Sequence, residues 1–480
     1  MKSAASRWHP IPPGILLLTG LLLMGGCGGP ELTPWHTDQL TREFSARRSA
    51  DVDNFADYLA LEKTLFAQLD ERVYAKTATG PEYALMRYSK GSLADPAQRQ
   101  PNWNRSFELS SNAPAGAVLL LHGMSDSPYS LRALGESLHR RGFQVLGLRL
   151  PGHGTAPSGM LGIDWQDMAR ATRLGMKHLA QGVGDKPIHI IGYSTGAALA
   201  LDYALRVEQG QAAPKPASLV LVSPAVGISP AAALAKWKRR LGLLPGLGSL
   251  AWLQIEPEFD PYKYNSFATN AAEQVHRLTS SVAGRIGNRA GSDSFLPPIL
   301  ILKSTVDATV STNAVVDRLL LQLAPRRHEL VLFDINRFAA TSSLLVEDPA
   351  PLTTRLIADD QLPFGLTLVS NAASNSRAVK AFYKAPFSTG VARIEPLDQE
   401  WPLGVFSLSH VALPFPPDDP LYGREPPKGR DQLFLGQQAL QGERGVLKIS
   451  GDFMLRLRHN PFYDYLEKRV LGWIEKTPRN

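Results

Sequence analysis

The chain of 480 residues is 44% hydrophobic, so it is long enough to bury one large core, with two domains as the alternative. Its formal net charge of +7 is modest for this length, and no lysine and arginine block marks a nucleic-acid surface, so we expect no nucleic-acid partner. The single cysteine excludes both an intrachain disulfide and a zinc site built from cysteines.

Residues 1–26 have the layout of a secretory signal peptide. Two basic residues precede an apolar run at 15–24 that is too short to span a bilayer comfortably. Met24-Gly25-Gly26-Cys27 resembles the bacterial lipobox, in which the cysteine is diacylated and becomes the mature N-terminus; a leader with a chance cysteine is the alternative. The resemblance implies lipidation at Cys27 and a cell-envelope location. Because Gly28 follows, and not an aspartate, it further implies the outer membrane, facing the periplasm.

Two segments precede the main domain. Residues 27–50 are weakly patterned and contain glycine, proline and threonine, which predicts a tether between lipid and domain. Residues 51–113 are predicted as an N-terminal helical extension, because apolar residues between Asp51 and Ala75 recur near helical spacing.

From Gly116 onward, short β-rich apolar runs alternate with helical segments, which is typical of a parallel sheet buried on both faces. This alternation predicts an α/β domain over residues 114–480 with a mostly parallel, doubly wound sheet. Two stretches interrupt it and are predicted as insertions, a helical cap at 225–296 and a second insertion at 339–400. The predicted strands are 117–121, 144–148, 188–191, 218–222, 299–303, 329–333, 367–370 and 405–408, and the predicted helices are 130–141, 165–181 and 196–207.

A candidate nucleophile lies between the strand at 188–191 and the helix at 196–207. Gly192-Tyr193-Ser194-Thr195-Gly196 fits the pattern G-x-S-x-G, in which a serine occupies a strained strand-to-helix turn. Only residues without bulk are tolerated two positions to either side of it. The pentapeptide alone arises by chance, but its strand and small-residue helix make Ser194 a candidate nucleophile.

The strand at 117–121 runs into a histidine–glycine turn. An acyl-transfer site needs two N–H donors for its oxyanion, one after the nucleophile and one from the loop after an early strand. We assign these donors to Thr195 and Met124, and an ordinary strand-ending turn is the alternative. The residues predicted to form or stabilise the oxyanion turn are His122, Gly123, Ser125 and Asp126.

Three of these segments together resemble the α/β-hydrolase superfamily. They are His122–Leu138, Leu150-Pro151-Gly152-His153-Gly154 and Gly192–Gly196. They are most similar to the branch of carboxylesterases, monoglyceride lipases and lysophospholipases, which includes serine aminopeptidase-like members. The resemblance covers 116–225 well, and 297–310 and 404–415 more loosely. It implies an α/β-hydrolase fold and a catalytic triad of serine, aspartate and histidine in that chain order.

Asp307 is the predicted acid, because the family carries its acid in the turn after a strand such as 299–303. Asp334, at the end of the next strand, is the rival, and a turn-capping role is the alternative for Asp307. His410 is the predicted base, because it follows the strand predicted at 405–408 and so lies at the carboxyl edge of the sheet.

Two other histidines follow Asp307. His328 precedes a strand and is expected at the wrong edge of the sheet, and His459, beside Asn460, is expected to be solvated or to cap a helix. The 103 residues between Asp307 and His410 exceed the gap usual in the family. We attribute them to the insertion at 339–400, since the cost of closing a loop grows slowly with length.

The resemblance therefore predicts a serine hydrolase of carboxylic esters that requires no metal and no organic cofactor. The expected partner is a small-molecule acyl ester or lipid, such as an acylglycerol or lysophospholipid, with the membrane contacted through lipidated Cys27. The stretch 233–253 is either a lid whose apolar face meets an acyl chain or a cap packed on its own domain. An amidase or aminopeptidase with the same triad and a non-catalytic envelope lipoprotein are the alternatives, and the sequence predicts no oligomeric state.

Overall fold

The computed structural model describes residues 31–227, 248–288, 296–325, 327–338, 345–428, 432–436 and 456–477. Cys27 and residues 233–247 of the stretch considered as a lid lie outside these ranges. Along the part of the chain that is described, we find no helix with the length and apolar character needed to cross a bilayer.

The described strands form a ten-stranded sheet in the order β1-β3-β2-β4-β5-β8-β9-β10-β11-β12, and β6 and β7 form a small separate pair. The pairs from β3 through β10 are parallel, whereas β1, β11 and β12 are antiparallel to their neighbours. The bounds are β1 Phe107–Leu109, β2 Ala117–Leu121, β3 Gln144–Leu148, β4 Ile188–Tyr193, β5 Ser218–Val222, β6 Trp252–Gln254, β7 Phe267–Ala268, β8 Ile299–Ser304, β9 His328–Phe333, β10 Gly365–Asn371, β11 Ala378–Lys384 and β12 Arg393–Glu400.

Helices cover both faces of the sheet. Helices α2, α4, α5, α6, α7 and α8 pack on one face, and α3 and α9 pack on the other. The bounds are α1 Pro34–Thr37, α2 Phe55–Arg72, α3 Arg132–Arg140, α4 Trp165–Val183, α5 Thr195–Glu208, α6 Thr269–Gly287, α7 Thr312–Arg318, α8 Ala350–Ala358 and α9 Tyr463–Glu475.

The central strands are continuous apolar runs because both of their faces are covered. In β2, Leu119 and Leu121 pack against the face with α4 and α5, while Val118 and Leu120 pack against α3 and α9. All five residues of β2 are buried. The predicted α/β-hydrolase architecture, a mostly parallel sheet between two helical layers, is confirmed.

The N-terminal segment packs against the domain. In residues 31–50, predicted as a tether, Trp35 and Phe44 are buried. The helix predicted within 51–75 is present as α2. It brings Glu62 to the buried Arg149 guanidinium, with 3.0 Å between Oε2 and Nε, and Glu43 binds the same guanidinium at 3.0 Å. The extension is therefore joined to the sheet by a buried cluster of charges.

The region between β9 and His410 differs from the prediction. The strand predicted at 405–408 is wrong: this segment is a loop, in which the Phe406 carbonyl accepts from the Asn336 backbone N–H at 2.7 Å. The second insertion was expected to contain one strand-like run, but it supplies β10, β11 and β12 to the sheet. Strand β12 was not predicted because this edge strand alternates exposed residues with half-buried ones, is rich in charge and contains Pro396.

Candidate active site

Ser194 lies in the tight turn between β4 and α5. Its φ of 53° and ψ of −112° are sparsely populated by residues with a side chain. Its backbone N–H donates to the Val222 carbonyl at 2.9 Å, and its own carbonyl accepts from the Ala225 N–H at 3.1 Å. The end of β5 therefore holds the strained turn in place, and Ser194 lines a cavity at the carboxyl edge of the sheet.

Two glycines make this turn possible through lack of bulk. A Cβ at Gly196 would lie 2.0 Å from the carbonyl oxygen of Leu121, and a Cβ at Gly192 would lie 2.5 Å from the backbone nitrogen of Ala197. Both contacts are too short for any side chain. The predicted reason for glycine at these two positions, close packing of strand and helix around the serine, agrees with these distances.

Asp307 and His410 lie in contact although 103 residues separate them in sequence. Asp307 lies in the turn after β8, and His410 begins a short 3-10 helix, His410–Ala412. The distance from His410 Nδ1 to Asp307 Oδ2 is 2.9 Å. The other carboxylate oxygen of Asp307 accepts from the backbone N–H groups of Thr309 and Val310, at 2.8 and 3.0 Å.

The loop that carries His410 is tied to the sheet from two sides. Tyr193 of the nucleophile turn donates from its hydroxyl to the His410 carbonyl at 3.3 Å, and its ring lies 5.3 Å from the imidazole. The neighbouring Ser409 hydroxyl donates to the Leu457 carbonyl at 2.5 Å. These contacts hold the imidazole at the wall of the cavity that Ser194 also lines.

The charges around Asp307 keep it ionised. Its side chain is fully buried, and the Lys303 ammonium lies 2.9 Å from Oδ2. Burial alone favours the neutral acid, but the hydrogen bond from His410 and the positive charge of Lys303 outweigh it and lower the pKa of Asp307 below its usual range. Lys303 also donates to the Val310 carbonyl at 2.6 Å, which closes the acid-bearing turn.

The imidazole of His410 is held largely in its neutral form. Burial lowers its pKa below the ordinary 6.5, although the hydrogen bond and negative charge of Asp307 act in the opposite direction. The cations Lys263 and Lys303 lower the pKa further. A neutral imidazole is the form that accepts a proton at Nε2 while Nδ1–H donates to a carboxylate.

The turn after β2 brings Met124 to the cavity that Thr195, at the start of α5, also lines. Thr195 is the first residue of α5, so its N–H has no partner within the helix. The Leu150 N–H donates to His122 Nε2 at 3.0 Å, so the His122 proton lies on Nδ1 and donates to the Gly123 carbonyl at 2.8 Å. Because the C=O and N–H of one peptide point in opposite directions, this bond orients the N–H of Met124.

The remaining residues of the predicted turn lie in the cavity wall or behind it. Ser125 and Asp126 line the cavity beside Gly123. Burial raises the pKa of Asp126 to about 6. His153 is fully buried, its Nδ1 lies 2.9 Å from the Pro151 carbonyl, and its Nε2 lies 3.2 Å from Met124 Sδ. His153 thus holds its own loop against the turn that carries Met124.

The rival residues lie elsewhere. Asp334 binds the Arg337 guanidinium at 3.0 Å and accepts from the Ser370 hydroxyl at 2.8 Å. His328 is the first residue of β9 and pairs with Ile299 at the amino end of β8, as expected. His459 is buried, so the expectation of a solvated side chain is wrong, and the cap of α9 is Phe462. Neither histidine lines the cavity.

The cavity has a volume of about 620 Å³ and two kinds of wall. Apolar side chains from β7, α6 and the acid-bearing turn form one part, whereas charged and polar groups form another. The apolar lining residues are Met124, Ala225, Phe267, Ala272, Val275, Val310 and Val411, and the charged ones other than the predicted base are Asp126, Lys263 and Arg456. Such a mixed wall suits a substrate that has an apolar and a polar part.

Sequence reasoning missed Lys303 and Lys263. Lys303 ends an apolar run inside a buried strand, and a lysine is almost never fully buried unless it is paired. That pattern could have indicated the carboxylate at Asp307. Lys263 lies in an irregular segment between β6 and β7, where no periodicity shows which residues face the cavity.

Residues 112–334 match the family model described as serine aminopeptidase, S33. The chain is also 29% identical over 200 residues to the thermostable monoacylglycerol lipase of Bacillus sp. (strain H-257), covering 42% of this chain and 73% of that protein. The residues that the family model matches include Ser194 and Asp307 but not His410, which follows the second insertion.

One similar solved structure is a metagenome-derived lipolytic enzyme from work on LipS and LipT. The identity is 21% and the TM-score is 0.39, and the match covers 48% of this chain and 87% of the lipolytic enzyme. Another is the monoacylglycerol lipase of Paleococcus ferrophilus, at 21% identity and a TM-score of 0.37 over 48% of this chain and 88% of that one. The chain has the α/β-hydrolase fold, and it is similar to serine aminopeptidase-like and monoacylglycerol lipase-like proteins of that superfamily.

Proposed function

We propose that this protein hydrolyses carboxylic esters, with Ser194 as nucleophile, His410 as general base and Asp307 as the acid that orients the imidazole. The observation that carries the proposal is the 2.9 Å contact between His410 Nδ1 and Asp307 Oδ2, at the wall of the cavity that Ser194 lines. The family match and the similarity to a monoacylglycerol lipase support a hydrolase of the α/β-hydrolase type.

The reaction begins when His410 accepts the Ser194 proton as the hydroxyl oxygen attacks the ester carbonyl. Asp307, held as a carboxylate, stabilises the imidazolium that forms and keeps its Nδ1–H pointed at the acid. The N–H groups of Thr195 and Met124 donate to the oxyanion of the tetrahedral intermediate. His410 then gives its proton to the departing alcohol oxygen and leaves an acyl-serine.

Water completes the cycle by the same route. His410 removes a proton from a water molecule that attacks the acyl carbonyl, and the proton returns to Ser194 Oγ as the carboxylic acid departs. Every step is a proton transfer or an acyl transfer between groups of this chain, the substrate and water.

The proposed substrates are apolar acyl esters such as acylglycerols or lysophospholipids. The apolar part of the cavity wall, with Met124 and Phe267 as its larger members, suits an acyl chain, because burial of each methylene contributes about 0.8 kcal/mol. We further propose that Cys27 carries a lipid that holds the enzyme at the envelope membrane, where such substrates are concentrated. The lipobox-like segment that precedes Cys27 supports this location.

A second candidate is an amidase or aminopeptidase, which the description of the matching family model favours. The same three residues serve either reaction, so substrates must separate them. We expect p-nitrophenyl butyrate and longer acyl esters to be cleaved far faster than aminoacyl p-nitroanilides. A preference for the anilides would instead support the aminopeptidase.

A fluorophosphonate probe tests the nucleophile, because it reacts covalently with an activated serine. We expect strong labelling of the wild-type protein, none of Ser194→Ala and at least ~100-fold slower labelling of His410→Ala. Ser388→Ala is the matched control, since this half-buried serine lies outside the cavity, and it should label as fast as the wild type. Equal labelling of all four proteins would contradict the mechanism, and no labelling of any would favour a non-catalytic binding protein.

A further inference from the structure

The charged part of the cavity wall is not used by the proposed mechanism. Lys263 and Arg456 line the same cavity as Ser194 and His410, and Asp126 is the carboxylate that faces them. The two cations exceed the single carboxylate in charge. An ester without a formal charge makes no use of such an excess.

Lys263 is held by its backbone and leaves its ammonium available. Its N–H donates to Asp260 Oδ1 at 3.1 Å, and the next residue, Tyr264, donates from its backbone to the Ser125 carbonyl at 2.8 Å. These bonds fix the segment against the predicted oxyanion turn. Among the described residues, Lys263 Nζ has no hydrogen bond or ion pair within bonding distance.

The surroundings of Lys263 favour the binding of an anion next to its ammonium group. Burial lowers the pKa of Lys263, and Asp126 offsets this only in part. Asp126 is ionised at about pH 8 even though burial raises its pKa to about 6, but its single carboxylate balances only one of the two cations in this wall. An ammonium that has lost much of its hydration gains from an anionic partner more than an exposed ammonium does.

The position of Lys263 relative to His410 indicates which part of the substrate it meets. Lys263 and Lys303 both act on the imidazole, but Lys303 lies buried beside Asp307, whereas Lys263 faces the cavity. In ester cleavage the imidazole protonates the departing alcohol oxygen, so the alcohol part lies on the imidazole side. The cation therefore lies where the alcohol part of the ester is expected.

We propose that Lys263, assisted by Arg456, selects acyl esters whose alcohol part carries an anionic group of the phosphate class. This specificity rests on the proposed ester hydrolysis and narrows its substrate class. The apolar wall then binds the acyl chain, and the charged wall binds the phosphate of the same molecule.

The test compares 1-oleoylglycerol with 1-oleoylglycerol 3-phosphate, which share an acyl chain and differ by the phosphate. Both are presented in neutral detergent micelles at about pH 8, where His410 is unprotonated. We expect the wild type to have a kcat/KM at least ~10-fold higher for the phosphate ester. Lys263→Met should lower that ratio about 10-fold, Arg456→Met should lower it less, and Lys263→Arg should keep it.

Lys186→Met is the matched control, since Lys186 is exposed and lies outside the cavity. Lys186→Met should leave the ratio of the two kcat/KM values unchanged. That result would exclude a general attraction of the basic protein to the negative charge that the phosphate ester gives to the micelle. Inorganic phosphate provides a second arm: it should inhibit the wild type competitively and inhibit Lys263→Met at least ~10-fold less. Melting curves of each variant show whether it is folded.

The outcomes separate this proposal from the proposed function. A wild type that cleaves both esters equally, or a Lys263→Met variant that lowers both rates alike, would overturn the specificity and leave ester hydrolysis standing. A folded wild type that cleaves neither of these esters nor p-nitrophenyl butyrate would overturn the proposed function itself.

Discussion

At the scale of single residues, the setting of His410 determines how the proposed enzyme responds to pH. Burial and the nearby cations lower the pKa of the imidazole below 6.5, and the hydrogen bond with Asp307 limits that shift. Only the neutral imidazole accepts the serine proton, so activity is lost as pH falls through this pKa. We therefore expect the acid limb of kcat/KM to lie below pH 6.5.

Lys263→Met tests the electrostatic part of this account. Removing a cation that disfavours the imidazolium should raise the pKa of His410, so the acid limb should move to higher pH. The measurement is hydrolysis of neutral p-nitrophenyl butyrate from about pH 4 to pH 9. Lys186→Met should overlay the wild type, and a limb that stays in place or moves to lower pH would be evidence against the assignment.

Arg149 offers a prediction about stability at a single buried charge. Its guanidinium is 1% exposed and binds Glu43 and Glu62. Arg149→Met leaves two carboxylates near each other without a cation, so the free energy of unfolding should fall by about 3–5 kcal/mol. Urea unfolding measures the loss. Arg141→Met breaks only an exposed pair with Glu475 and should cost less than about 1 kcal/mol, and comparable losses would contradict the account.

At the scale of elements, the strand–turn–helix around Ser194 depends on close packing at Gly196. An added methyl group would meet the Leu121 backbone at 2.0 Å, so Gly196→Ala should displace α5, cost about 1–3 kcal/mol and reduce activity at least ~100-fold. Gly284→Ala is the matched control in helix α6, where no atom lies within 4 Å of the added carbon. It should stabilise the protein by about 0.5–1 kcal/mol and leave activity intact.

Melting temperature and p-nitrophenyl butyrate hydrolysis measure both variants. If the two alanine variants have the same melting temperature and the same activity, the turn at Ser194 tolerates an added methyl group. The close packing at Gly196 would then not be required for activity.

The elements that sequence predicted best are those whose burial pattern is simple. Strands such as β2 and β5 are uninterrupted apolar runs, so their bounds are confirmed residue for residue. Ser194, Asp307 and His410 were predicted from motif, resemblance and chain order; Ser194 and His410 line one cavity, and Asp307 contacts His410. The loop at 405–408 was mistaken for a strand because its apolar residues follow the same pattern as those of a strand. In the structure, the carbonyls of Val405 and Phe406 accept hydrogen bonds from Asn336. Lys263 has no local signal, since only tertiary packing brings it to the cavity.

At the scale of the whole molecule, the N-terminal segment joins the predicted anchor to the catalytic domain without a long free linker. His36 binds Ser266 at 2.9 Å, in the same irregular segment that holds Lys263. The described chain is therefore packed against the domain from its first residues after Glu31. This arrangement would hold the cavity at a short distance from the membrane if Cys27 is lipidated.

Lipidation at Cys27 is tested by metabolic labelling with a palmitate analogue. The wild type expressed in a bacterial host should take up label and fractionate with membranes, whereas Cys27→Ser should lose the label and leave the membrane fraction. Ser194→Ala is the control, because it should be labelled as strongly as the wild type while lacking hydrolase activity. Label on the Cys27→Ser variant would disprove the proposed site, since the chain has a single cysteine.

The four strands between Asp307 and His410 have a consequence for how the protein can be divided. Strands β10 and β11 pair from Leu366 and Lys384 to Asn371 and Val379, and their connecting turn lies on the surface. A nick in that turn separates the fragment with the hydroxyl and the carboxylate from the fragment with the imidazole. Because each half presents a long strand edge to the other, two inert polypeptides should reassemble into a working hydrolase, which makes this hairpin a natural place for a split reporter.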